Sequence, residues 1–94
     1  MNKIYRTVII DDEESAIDNL CLALKPYGQI VVEGVAHNGA AGLKLIEKVR
    51  PDLVFQDVEL PDMLGMELVT RARKKLGVNM EVVFYTAYNK YMID

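Results

Sequence analysis

The sequence predicts an α/β fold, a doubly wound and mostly parallel sheet, and three observations carry that prediction. Short β-branched apolar runs recur along the chain. Segments with helical apolar periodicity alternate with them. Polar residues gather where the runs end.

Thr7-Val8-Ile9-Ile10 is β-branched throughout, as expected of a strand buried on both faces. Asp11 and Asp12 end it. A helix is expected from about Glu14 to Tyr27, because Ile17, Leu20, Cys21 and Leu24 fall on one helical stripe. Pro26-Tyr27-Gly28 stops it. Gln29 to Ala36 reads as the second strand. Gly39 to Arg50 reads as the second helix, with Asn38 as N-cap and Gly42, Leu45, Ile46 and Val49 inward. Pro51 ends that helix and is expected to hold Arg50 extended.

Leu53-Val54-Phe55-Gln56 is the third strand, with Asp57 at its carboxyl end. Val58 to Leu64 is a loop. The third helix carries Gly65, Leu68, Val69, Ala72 and Leu76 inward and closes at Gly77, a residue suited to a left-handed cap. Glu81 to Tyr85 supplies a fourth strand, followed by Thr86. Asn89 to Asp94 has the character of the first turns of a fourth helix.

A chain of 94 residues suits one domain. Its composition, 51% hydrophobic with three prolines and six glycines, is that of a packed globular chain rather than a disordered one. The single cysteine, Cys21, cannot form an internal disulfide, which fits a reducing compartment. The N-terminal apolar run is too short for a signal-peptide core or a membrane span, so a cytoplasmic location is expected. Net charge is −3. The acidic excess comes from two short segments, Asp11-Asp12-Glu13-Glu14 and Asp57, Glu59 and Asp62. No basic stripe points to direct nucleic-acid binding by this domain.

In an open α/β sheet, ligands bind outside the carboxyl ends of the strands. Three such ends carry polar groups here: Asp11 and Asp12, then Asp57, then Thr86. If the first and third strands are neighbours, their carboxylates converge and repel one another. A hard divalent cation removes that conflict, and magnesium suits a few oxygen ligands beside a phosphate. Carboxylates, a dication and a hydroxyl together suit phosphoryl transfer, with a carboxylate as nucleophile.

Ile9-Ile10-Asp11-Asp12-Glu13, the run from Pro51 through Asp57 to Pro61, Gly65, and Thr86-Ala87-Tyr88 resemble the response-regulator receiver family over nearly the whole chain. The spacing is specific, with Pro61 four residues and Gly65 eight residues beyond Asp57. The Thr86-Ala87-Tyr88 step resembles receivers joined to LytTR-type DNA-binding domains.

The resemblance implies a flavodoxin-like sheet of order 2-1-3-4. It implies Asp57 as phosphoacceptor and Mg2+ held by Asp12, by Asp11 through water, by Asp57 and by the backbone carbonyl of Glu59. Thr86 would hydrogen-bond the phosphoryl group, and small Ala87 would leave the site open. The donor would be a sensor histidine kinase or a small acyl phosphate, and the output domain a DNA-binding regulator of transcription. The family also carries a lysine after a fifth strand, then a proline and a fifth helix. Lys90 lies too early to be that lysine, so residues 1–94 are expected to form a receiver domain incomplete at its C-terminus. An apolar fourth strand left at the sheet edge is expected to favour a homodimer or other self-association.

Two other functions fit parts of the pattern. One is a degenerate receiver that works only in docking or dimerisation. The other is a small haloacid-dehalogenase-like phosphatase with Asp57 as nucleophile and Glu59 as an imperfect second acid. Among the remaining residues, Glu13 and Glu14 read as helix-start acids, and the side chains of Glu59 and Asp62 as solvated loop charges. His37 reads as a surface residue, Cys21 as core, and Arg71, Arg73, Lys74 and Lys75 as a solvated helix end matched to its dipole.

Overall fold

The structure is a computed structural model, and it describes residues 3–77 and 79–86. Four strands, β1 (Tyr5–Ile10), β2 (Ile30–Ala36), β3 (Leu53–Asp57) and β4 (Glu81–Tyr85), alternate with α1 (Glu14–Leu24), α2 (Gly39–Val49) and α3 (Gly65–Leu76). All pairings are parallel and the order is β2-β1-β3-β4, the order expected from the sequence. The residues of the expected fourth helix, with Ala87 and Lys90, lie outside the described residues.

The topology follows from strand handedness. The step from β1 to β2 runs one way across the sheet, whereas the steps from β2 to β3 and β3 to β4 run the other way. Right-handed crossovers therefore put α1 on one face and α2 and α3 on the other. Thr7, Val8, Ile9 and Ile10 are all fully buried between these layers, as a central parallel strand requires. Val8 and Ile10 join Ile46, Val54, Leu68, Val69, Ala72 and Met80 in the main core. Side chains alternate along a strand, so Ile9 belongs to the opposite, α1 face. Between β1 and β2 the register slips at Thr7/Val8, where Val32 and then Gly34 are the partners, leaving Glu33 as an extra residue. Its carboxylate turns out to Arg6 at 3.3 Å.

Several helix boundaries differ from the sequence reading, each for a local reason. The first helix ends at Leu24 and not at Tyr27. Pro26 has no N–H to return to Leu22, and the Leu22 carbonyl instead accepts from Lys25 at 3.2 Å. Arg50 is not extended. It adopts φ 53°, ψ 62°, and its N–H closes on the Ile46 carbonyl at 2.8 Å. The following proline disfavours a right-handed helical Arg50, and the left-handed conformation ends the helix while keeping that hydrogen bond. Gly77 caps α3 in the same left-handed region, where glycine carries no Cβ penalty. Cys21, placed in the core by its helical stripe, is only partly buried; among the α1 residues, Ile17 is the buried one.

Leu68 is fully buried on α3, within the cluster that seats α2 and α3 against β1 and β3. Leu68→Ala is expected to destabilise the chain by about 2–5 kcal/mol, read as a lowered urea midpoint with an unchanged m-value.

Candidate functional site

The site forms because β1 and β3 are neighbours. Ile10 pairs with Gln56, so Asp11 and Asp57 stand side by side at the carboxyl end of the sheet. Carboxylate oxygens of Asp11, Asp12 and Asp57 all lie within 4.8 Å of one another. Asp11 and Asp57 are 0% exposed, and Asp12 is exposed. The three acids expected to converge from separate strand ends do so.

Short-range hydrogen bonds aim two of these carboxylates. Asp11 Oδ1 accepts from the Glu13 N–H at 2.8 Å, and Asp57 Oδ1 accepts from the Glu59 N–H at 3.3 Å. Each aspartate thus receives the N–H two residues ahead, the local turn that Asp side chains favour. The loop that carries Glu59 is closed on itself. Leu60 N–H bonds to the Met63 carbonyl at 3.0 Å, and Gly65 N–H to the Val58 carbonyl at 2.7 Å. Gly65 sits where the backbone comes closest: a Cβ there would be driven into the Asp57 carbonyl oxygen. Thr86 follows Tyr85, the register partner of Asp57, and is exposed at the same end of the sheet.

Two participants were not foreseen from the sequence. Tyr85 was read only as part of an apolar strand, yet its hydroxyl donates to Asp11 Oδ2 at 2.7 Å. Burial, with the Asp11 hydrogen bond behind it, pushes the phenol well above its ordinary pKa of 10.0, so the hydroxyl remains a donor. Asp62 was read as a solvated loop charge. Its side chain is a cap for α2, accepting from Gly39 N–H at 2.6 Å and Ala40 N–H at 3.0 Å. Asn38, the expected N-cap, accepts from Ala41 N–H at 2.8 Å. The only hint in the sequence was an acid in a loop that the fold returns to a helix start. His37 is exposed as expected and faces Glu14 at 2.7 Å.

The donor set is made of hard carboxylate oxygens, with no histidine or cysteine among the three residues. Like charges this close, two of them buried, call for a compensating cation, and oxygen-only ligation suits a hard dication. The residues fit such an ion.

A family model of the response regulator receiver domain matches residues 7–93. The chain belongs to the response-regulator receiver family. This receiver is 41% identical over 87 residues to an uncharacterized response regulatory protein of Vibrio cholerae, an alignment covering 93% of this chain and 36% of that protein. It is 32% identical over 90 residues to the transcriptional regulatory protein BtsR of Escherichia coli, covering 96% of this chain and 37% of BtsR. The receiver therefore spans little more than a third of the length of these relatives. Among solved structures it is similar to the signal receiver domain of the putative response regulator NarL from Mycobacterium tuberculosis. That match has a TM-score of 0.81 at 29% identity and covers 92% of this chain and 68% of that one. The receiver domain of AraT from Geobacillus stearothermophilus matches with TM-score 0.80 at 27% identity, over 94% of this chain and 68% of that one.

Gly65→Ala is expected to destabilise the receiver by about 1–3 kcal/mol and to displace the Asp57 carbonyl, read in amide chemical shifts of residues 57–59. Asp62 has a distinct pH signature. Its backbone hydrogen bonds from Gly39 and Ala40 lower its pKa below the ordinary 3.8. A carboxylate shifted down in the folded state contributes stability above its unfolded value and loses it as pH falls through the folded one. The urea midpoint of Asp62→Asn should thus fall below that of the parent near neutral pH, and the gap should close as pH drops below 3.8. A gap that persists unchanged in acid would exclude a charged cap.

Proposed function

We propose that Asp57 is the phosphoacceptor of this receiver and that the pocket works with Mg2+. The observation that supports it most directly is the meeting of Asp57 with Asp11 and Asp12 at one end of the sheet, their oxygens within 4.8 Å. Asp12, Asp57 and the Glu59 backbone carbonyl would hold the ion directly, and Asp11 through water. When bound, the ion supplies neutralising charge for the phosphoryl oxygens. An Asp57 carboxylate oxygen attacks phosphorus. The bond from phosphorus to the donor's imidazole nitrogen, or to the acyl oxygen of a small acyl phosphate, breaks with its electron pair. An acyl phosphate is left on Asp57 and is later hydrolysed by water. Thr86 donates its hydroxyl hydrogen to a phosphoryl oxygen. The chain catalyses only its own phosphorylation and dephosphorylation; it does not turn over other substrates.

The chain would work in the cytoplasm, with a sensor histidine kinase as its partner. The output would be control of transcription, in line with the name of the BtsR relative, and an attached LytTR-type domain fits the Thr86-Ala87-Tyr88 step. No described helix is long and apolar enough to cross a membrane. Self-association through the β4 edge belongs to the same reading. In the described sheet β4 is an outer strand, and Val83 and Phe84 are 44% and 41% exposed. An apolar outer strand of this kind can pair with a further strand, including one from a second copy.

Incubation with acetyl phosphate and Mg2+, followed by intact-mass measurement, tests the proposal. A single phosphoryl adduct is expected, absent in Asp57→Asn and absent when the metal is chelated. Release of phosphate without an adduct would favour an aspartate-nucleophile phosphatase. Neither adduct nor turnover would leave a docking module.

A further inference from the structure

Tyr85 lies on β4, with β3 between it and Asp11 at the end of β1. Neighbouring strands are about 4.8 Å apart, so two strand spacings separate the backbones. Only a long side chain with a polar tip covers that distance, and the Tyr85 hydroxyl arrives 2.7 Å from Asp11 Oδ2. The other Asp11 oxygen is taken by the Glu13 N–H at 2.8 Å. Both oxygens of this fully buried carboxylate are therefore held from opposite directions, one by a local turn and one from across the sheet. A carboxylate oxygen accepts more than one hydrogen bond, so a bond to each oxygen does not by itself exclude a cation. Asp57 Oδ1 accepts from the Glu59 N–H at 3.3 Å.

We propose that Tyr85 is a positioning residue for the cation pocket: its hydroxyl fixes the rotation of Asp11 so that the three carboxylates stand ready for a divalent ion. The inference rests on the cation-binding reading above and deepens it by naming a residue outside the expected ligand set. An Asp11 free to rotate pays its ordering cost when the ion binds, whereas an Asp11 already held does not. Loss of a group that orients a metal-binding side chain typically costs about 10–100-fold in metal affinity. Tyr85 also ties β4 to β1 across β3, so the geometry of the pocket depends on where the end of β4 sits.

The test uses the chain itself with Mg2+ as the only probe. The sequence has no tryptophan and five tyrosines, so emission is tyrosine emission, and a hydroxyl bonded to a carboxylate responds when an ion engages that carboxylate. Mg2+ titration of the parent should give a saturable emission change that disappears in Tyr85→Phe. Calorimetric Mg2+ affinity should fall roughly tenfold in Tyr85→Phe, and this loss should vanish when the substitution is made in an Asp11→Asn background. Circular dichroism before titration verifies that each variant is folded. Unchanged Mg2+ affinity in a folded Tyr85→Phe, or an equal loss in the Asp11→Asn background, would overturn the inference and leave the cation pocket standing. Absence of Mg2+ binding by the parent would overturn the pocket reading and this inference with it.

Discussion

Everything in this molecule depends on the parallel pairing of β1 with β3. That pairing sets Ile10 opposite Gln56 and so brings Asp11 beside Asp57. A slip of one residue would turn every side chain of β1 to the other face of the sheet, carrying Asp11 away from Asp57 and Ile10 out of the core. The same register therefore satisfies two demands at once, the burial of Val8 and Ile10 against the α2–α3 layer and the gathering of the acids. Burying like charges is expensive, several kcal/mol per ion after relaxation. The structure offsets part of that cost with donors aimed at the carboxylates: Glu13 N–H, Glu59 N–H and Tyr85 O–H. The apolar core supplies the rigidity that keeps the acids together despite their repulsion.

That core is shaped by small residues as much as by large ones. A Cβ at Gly42 would meet Leu68 Cδ1 at 2.9 Å and Ile10 Cδ1 at 3.0 Å, so the bare position 42 lets those two core side chains pack against α2 without shifting. A polar exception stands next to Asp57. Gln56 is fully buried and its amide nitrogen donates to the Asp57 carbonyl at 3.1 Å, while its Oε1 has no hydrogen-bond partner among the described residues. A buried acceptor left without a partner costs about 1–3 kcal/mol.

The sequence made the fold and the acids legible because both are carried by local patterns. Strand and helix periodicities are readable over windows of a few residues, and Asp11, Asp12 and Asp57 announce themselves by interrupting apolar runs. What escaped was non-local. Tyr85 reaches an acid 74 positions away, and Asp62 reaches Gly39 across 23. Neither partner can be named before the strand order is known. Tyr85 was further hidden by its own chemistry, since an aromatic ring in an apolar strand gives no sign that its hydroxyl will be used. The errors at Tyr27 and Arg50 were of another kind. Proline was recognised as a helix stop in both places, but the stop could be made in more than one way. At Pro26 the missing N–H acts one turn earlier. At Pro51 the preceding residue turns left-handed and keeps its hydrogen bond.

The treatment of helix starts shows how the fold directs charge. The first three N–H groups of a helix lack carbonyl partners within it and commonly receive anions. In α2 all three are already committed, Gly39 and Ala40 to Asp62 and Ala41 to Asn38. The start of α2 is thus already supplied with acceptors, and its positive dipole anchors the loop that follows Asp57. The start of α1 lies instead just beyond Asp11-Asp12, with Glu14 in its first turn. Its dipole favours the acids beside it. One helix start thus fixes the loop on the far side of Asp57, and the other supports the carboxylates on the near side.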